Sequence, residues 1–200
     1  MDTKALRKEL IRYVRQLSQS GWVVGTSGNI SLRNPDDGTM LITPSSVDYQ
    51  QMQEEDLFLV HPDGSLEGGL GRPTSSLAFH KLIMRQRKDC MAIIHTHAPY
   101  ASAASVVTDA VPAVTLPAAL YLGGAIPVSP YAENGSQQEA ENIMSALGQE
   151  HNAVLMQNHG VVAIGGSLKQ AWDNMGHAEE CCRIWIYAKS TGLPCSTISC

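Results

Sequence analysis

No apolar run in this 200-residue chain approaches the roughly eighteen residues that a membrane-spanning helix needs. Basic residues are few, with 14 Lys and Arg against 19 Asp and Glu, and they are scattered, as in Arg7-Lys8 and Arg85-Gln86-Arg87-Lys88. A net charge of −5 without a basic stripe argues against a nucleic-acid or anionic-membrane partner. Cysteine is sparse and unpatterned. The five thiols at 90, 181, 182, 195 and 200 are odd in number, contain no CxxC, and include an adjacent pair that would make a poor disulfide framework. Free thiols in a reducing compartment follow, and a cysteine-type zinc site is disfavoured. There is no GxGxxG and no strict β-α-β alternation, which disfavours a dinucleotide-binding fold. Repeats, low-complexity tracts and linker-like composition shifts are also missing. The opening Met1-Asp2-Thr3-Lys4 starts an amphipathic helix and not the apolar core of a signal peptide, so a cytoplasmic location is expected.

What is present is globular: 44% apolar and 16% charged residues, enough chain to bury one core, expected as a single domain over residues 1–200. Leu6, Leu10, Ile11, Val14 and Leu17 recur at helical steps and predict a helix from about Thr3 to Ser20. Strands are expected at Ile30–Leu32, Met40–Thr43, Leu57–Val60, Met91–His97, around Val111–Leu116, and at Gly123–Val128. Asn152–Ile164 reads as two strand pieces broken by Asn158-His159-Gly160. Helices are expected at Leu77 to about Arg87, Ala98 to about Val107, Gln137–Leu147 and Leu168 to Lys189. The last carries Ala171, Met175, Ala178, Cys182 and Trp185 on one stripe. Hydroxyl side chains in Pro73-Thr74-Ser75-Ser76 are placed to cap the second helix. Short strands mixed with helices favour an α/β sandwich with helices flanking a central sheet.

His95 and His97 stand two apart in an expected strand, so both imidazoles point to one pleated face and can share an ion. An HxH at a strand end is also a pattern of half-buried structural histidines. His159 shifts the balance, because it sits in a polar cluster, Gln157-Asn158-His159-Gly160, that interrupts two apolar runs. Three histidines with an open fourth position are the arrangement of a catalytic zinc. One Zn²⁺ per chain is therefore the expected cofactor, with cobalt or manganese as alternatives. His80 reads as a capping or core residue that could instead orient a ligand from behind, and His61, His151 and His177 read as solvated.

Three polar loops also stand out: Thr26-Ser27-Gly28-Asn29, Thr43-Pro44-Ser45-Ser46 and Thr74-Ser75-Ser76. Backbone N–H groups and hydroxyls at glycine turns and helix starts bind phosphate without many lysines. The plainer reading is three ordinary turns and caps.

In their order and spacing these motifs resemble the class II aldolase/adducin family, which includes fuculose-phosphate aldolase, rhamnulose-phosphate aldolase and ribulose-phosphate 4-epimerase. The resemblance spans almost the whole chain. It runs through Gly25–Ser31, Leu41–Ser46, Pro73–Ser76, Ile94–His97, Ile126–Tyr131 and Asn158–Gly160. It implies a three-layer α/β sandwich with a central, mainly antiparallel sheet. It implies zinc on His95, His97 and His159, and a substrate pocket from Gly28, Asn29, Ser45, Ser46, Thr74 and Ser75. It further implies a homotetramer with sites near subunit interfaces, and cleavage of a C–C bond in a sugar phosphate as the ion stabilises the resulting enediolate.

The chain departs from that pattern at Ser76, where the fuculose-phosphate aldolases carry a proton-transferring glutamate and the epimerases an aspartate. Serine is a poor base without a partner. Leu116 stands where the aldolases have a tyrosine that protonates the aldehyde, and the sequence stops at Cys200, short of a tail that brings another tyrosine. One reading is an aldolase-type lyase with Ser76 and Tyr131 as candidate catalytic residues, or with Tyr121 or a bound water as the relocated acid or base. A second is decarboxylation of a sugar-derived 3-keto acid phosphate, in which no base removes a proton as carbon dioxide leaves; a 4-epimerase is a further variant. A third is a binding or assembly domain like the adducin head, although adducin heads lack the histidine triad that this chain keeps.

Overall fold

Short β-branched runs pair into one sheet, and amphipathic runs cover its two faces. The computed structural model describes residues 2–198, so Cys200 lies outside the described residues. Helix α1 (Thr3–Gln19) is capped by the Asp2 carboxylate, which accepts the Lys4 N–H at 3.1 Å. Strands β1 (Asn29–Arg33), β2 (Met40–Ile42), β3 (Phe58–Val60) and β4 (Leu66–Gly68) follow as an antiparallel meander. Then come α2 (Leu77–Gln86), β5 (Ala92–Thr96), α3 (Pro99–Ser105), β6 (Ala110–Val111), α4 (Leu116–Tyr121) and β7 (Ile126–Ser129). The chain continues through α5 (Gln137–Leu147), β8 (Ala153–Met156), β9 (Gly160–Gly165) and α6 (Leu168–Ser190).

Among the described residues nine strands order as β4-β3-β2-β1-β5-β9-β8-β7-β6, with β7 and β8 parallel and the other neighbours antiparallel. Alternation along the strands separates two cores. Ile30, Leu32, Leu41, Ile94, Val161 and Ala163 face α1, α3 and α6. Ile42, Phe58, Ile93, Val154, Val162 and Ile164 face α2 and α5 through Phe79, Ile83, Ile143 and Leu147. The result is the three-layer, mainly antiparallel α/β sandwich expected from the resemblance. No helix among the described residues is long and apolar enough to cross a membrane.

Two local expectations are corrected. The strand anticipated around Val111–Leu116 shrinks to Ala110–Val111, and Leu116 instead opens a helix. The Thr115 hydroxyl caps that helix by accepting the Ala118 N–H at 3.3 Å, and Pro117 suits its first turn. At α2 the cap comes from one hydroxyl only: Thr74 Oγ1 accepts the Ser76 N–H at 3.2 Å, while the Ser76 side chain caps nothing. Of the histidines expected in solvent, His61 pairs with Glu67 at 3.1 Å and His177 stacks on Tyr121. His151 is half-buried, with an Nδ1 that has no hydrogen-bond partner among the described residues. Cys90, Cys181, Cys182 and Cys195 are free thiols.

Candidate metal centre and anion pocket

The site grows from the middle of the sheet. In β5, Ile93 and His95 share the face turned to α2, and His95 pairs with Asn29 of β1 on one side and Val162 of β9 on the other. His97 lies just past the strand end. The β8–β9 turn brings in His159 after Asn158, which adopts a left-handed backbone (φ 58) that asparagine tolerates. Gly160 then passes so close to β5 that a Cβ there would sit 2.3 Å from the Thr96 carbonyl oxygen.

The three imidazoles form a near-equilateral cluster. Ring centroids are 5.2 Å apart for His95–His97, 4.9 Å for His95–His159 and 5.1 Å for His97–His159. One nitrogen from each lies within 4.8 Å of the others. Two rings are held from behind. His95 Nδ1 faces the Val161 carbonyl oxygen at 3.0 Å, and His159 Nδ1 faces Glu139 Oε1 at 3.2 Å. Glu139 is buried at the start of α5, where its other oxygen accepts the Gly135 N–H at 2.8 Å. Burial holds the His95 pKa well below the usual imidazole range, with His159 and His97 adding to the effect. Burial, then His159, lowers His97 as well. Neutral imidazoles whose outer nitrogens meet a carbonyl and a carboxylate are the donor set that a divalent ion such as zinc takes, so these residues fit the metal.

The three polar loops converge beside this cluster. Asn29 Nδ2 donates to Thr74 Oγ1 at 3.1 Å and to Ser76 Oγ at 3.0 Å. The Ser45 N–H meets the Arg72 carbonyl at 2.9 Å, next to an isolated bridge between Pro44 and Pro73. The Tyr49 hydroxyl, buried, donates to the Gly28 carbonyl at 2.5 Å. Gly28 has φ 82 and packs on the His95 carbonyl, where a Cβ would come within 2.7 Å, so this loop is pressed against the histidine strand. Thr74 and Ser76 are buried, whereas Ser45, Ser46 and Ser75 are exposed, and Ser46 holds a left-handed backbone at φ 60. The loops form an exposed rim of hydroxyls over a buried polar floor.

Two other positions singled out in the sequence lie at the surface. Tyr131 is 66% exposed, and its backbone N–H donates to Gln157 Oε1 at 3.0 Å, beside the turn that carries His159. Leu116 is 59% exposed on α4. Sequence reasoning missed Glu139. Its signal was Ser136-x-x-Glu139, which reads as a helix cap, and the Ser136 hydroxyl does accept the Glu139 N–H at 3.0 Å.

Fold and site together define a class: an antiparallel-sheet α/β sandwich with a candidate mononuclear three-histidine centre at a strand end, flanked by hydroxyl-bearing loops. The sequence model of the Class II Aldolase and Adducin N-terminal domain matches residues 8–186, and the chain belongs to that family. It is 33% identical over 188 residues to a 5-deoxy-D-ribulose 1-phosphate aldolase of Bacillus thuringiensis serovar kurstaki, covering 94% of this chain and 87% of the relative. A 3-oxo-tetronate 4-phosphate decarboxylase of Pectobacterium atrosepticum is 33% identical over 183 residues, covering 89% and 82%. The solved structure of an L-fuculose 1-phosphate aldolase superposes with a TM-score of 0.91 at 30% identity, covering 96% of this chain and 90% of that one.

Proposed function

We propose that this chain is a zinc-dependent lyase that cleaves a C–C bond of a ketose phosphate by a retro-aldol reaction. The observation that carries the reading is the cluster of His95, His97 and His159 with one nitrogen of each within 4.8 Å of the others, set directly beside the hydroxyl loops. A divalent ion held there supplies Lewis-acid polarisation of a substrate carbonyl oxygen. Val161 and Glu139 aim the imidazoles. Gly28, Asn29, Ser45, Ser46, Thr74 and Ser75 build the pocket that anchors the phosphate, its exposed hydroxyls and backbone N–H groups serving as donors. Ser76 presents a hydroxyl and not a carboxylate to this pocket, and Tyr131, whose backbone is tied to Gln157 beside the His159 turn, is the proton donor in this reading. The reading includes a homotetramer in the cytoplasm with sites near subunit interfaces. The exposed Leu116, Leu120 and Tyr121 of α4 support an interface.

A second reading is favoured by Ser76 and by the decarboxylase relative: loss of carbon dioxide from a 3-keto acid phosphate, a step that needs no base to remove a proton. Metal analysis of the purified protein, with turnover on ketose phosphates and 3-keto acid phosphates before and after chelation, separates these readings. One zinc per chain with chelator-sensitive aldehyde release supports the aldolase, and carbon dioxide release supports the decarboxylase. Bound metal without turnover on either panel points to a binding domain like the adducin head, and no metal overturns the proposal.

A further inference from the structure

Asn29 has no amide hydrogen left for a substrate, since both sides of its carboxamide are engaged within the protein. Its Nδ2 meets Thr74 Oγ1 and Ser76 Oγ, and its Oδ1 lies 2.5 Å from His80 Nε2. The other ring nitrogen, His80 Nδ1, lies 2.6 Å from Ser31 Oγ. Asn29 and Ser31 are alternate residues of β1 and so share the face turned to α2, where His80 projects between them. Phe79 stacks on the imidazole at a centroid distance of 4.7 Å. Ser31, His80, Asn29, Thr74 and Ser76 are all buried, and this line of polar groups ends at Thr74 and Ser76, on either side of the exposed Ser75.

We infer that His80 is a positioning residue which, acting through Asn29, commits the Thr74 and Ser76 hydroxyls to donate to an anionic oxygen of the bound substrate. The argument is one of counting donors and acceptors. A neutral imidazole has one N–H and one lone pair, and a hydroxyl can take either role. Burial pushes the His80 pKa down to about 3, so the ring is neutral at working pH. Ser31 O–H then donates to Nδ1, Nε2–H donates to Asn29 Oδ1, and the two Nδ2 hydrogens go to Thr74 and Ser76. Thr74 Oγ1 also accepts the Ser76 N–H, so its lone pairs are filled. Neither hydroxyl hydrogen has a protein acceptor among the described residues. Both are free for the pocket, with oxygens already polarised by incoming N–H groups. An ionised carboxylate at position 76 could only accept, as from Asn29 Nδ2; a serine there accepts the same N–H and still has a hydrogen to donate.

This inference rests on the reading that these loops hold an anionic substrate, and the test keeps the two apart. Long-range ¹⁵N spectra of the metal-replete protein at pH 7.5 report the His80 tautomer without any substrate. The Nε2–H form is expected. An Nδ1–H form would reverse the carboxamide and overturn the inference, whatever the enzyme turns over. Calorimetry with inorganic phosphate supplies the second readout. His80→Gln keeps a donor where Nε2–H stands and should bind phosphate within about threefold of the parent, whereas His80→Leu should bind at least about tenfold more weakly, as expected for one lost buried hydrogen bond. If His80 acts through Asn29, the Asn29→Ala/His80→Leu double variant binds no worse than Asn29→Ala alone. Losses that multiply, or a glutamine variant as weak as the leucine one, would overturn it. Should His80→Leu fail to fold, the glutamine variant and the tautomer still decide. A parent protein that binds no phosphate removes the pocket reading, and the tautomer alone then decides the direction of the relay.

Discussion

Glu139 shows how much of the site depends on a single side chain outside the histidine cluster. Its carboxylate is buried, takes the His159 Nδ1–H, and is itself fixed by the Gly135 N–H. Glu139→Gln preserves the shape and removes the charge that strengthens the imidazole as a ligand. Zinc affinity should fall by about 10- to 100-fold, read by competition with a chromogenic chelator. Unchanged affinity would assign Glu139 to the α5 cap alone. The difference in legibility among these residues is physical. His95 and His97 could be read because a two-residue step places both on one strand face, and His159 because a polar group broke an apolar run. Glu139 was concealed because an acid three residues after a serine has a sufficient local explanation. For His80 the sequence left a capping, a core and an orienting role open, because its partners come from β1, about fifty positions earlier in the chain.

At the scale of elements, β9 starts where β5 ends, and the join is made by Gly160. A Cβ there would stand 2.3 Å from the Thr96 carbonyl oxygen and 3.1 Å from the His97 ring. Gly160→Ala must therefore push β9 off β5 at the point where two of the candidate ligands sit. The expected result is a loss of about 2 kcal/mol or more, an overpacking cost, seen as a lower urea midpoint together with substoichiometric zinc. Normal zinc content in a destabilised variant would mean that the turn can shift without moving His159. Elements with a strong period were legible: α5 is found at Gln137–Leu147 as expected, and the stripe on α6 from Ala171 to Trp185 is buried. Helix α4 was not. Six residues are too few to show a helical period, and the neighbouring Val111-Pro112-Ala113-Val114 has strand-like residues of which only Val111 pairs. Strand β4 is exposed along its length, pairing with β3 and reaching His61 through Glu67, which leaves no apolar pattern to read.

The order of the nine strands is a property of the whole molecule and lay beyond local reading, since β1 meets β5 and β5 meets β9 across long stretches of chain. That order buries His80 between α2 and the centre of the sheet, and burial there has a consequence for global stability. The folded His80 has a pKa of about 3 against an ordinary value of 6.5. Above pH 6.5 both folded and unfolded chains carry the neutral ring, and the stability from this group is complete. Below pH 6.5 the unfolded chain binds a proton that the folded one refuses, so stability falls as the pH drops toward 3. One such group contributes a slope of about 1.4 kcal/mol per pH unit in that window. His80→Gln removes the proton and keeps the hydrogen bond to Asn29. Between pH 7.5 and pH 5 the parent should therefore lose about 2 kcal/mol more than the variant, measured as the change in urea unfolding free energy with matched zinc in both samples. The comparison cancels the other histidines, which are present in both proteins. Equal losses would mean that His80 accepts its proton in the folded state near its ordinary pKa, and that the polar line from Ser31 to Ser76 opens to water.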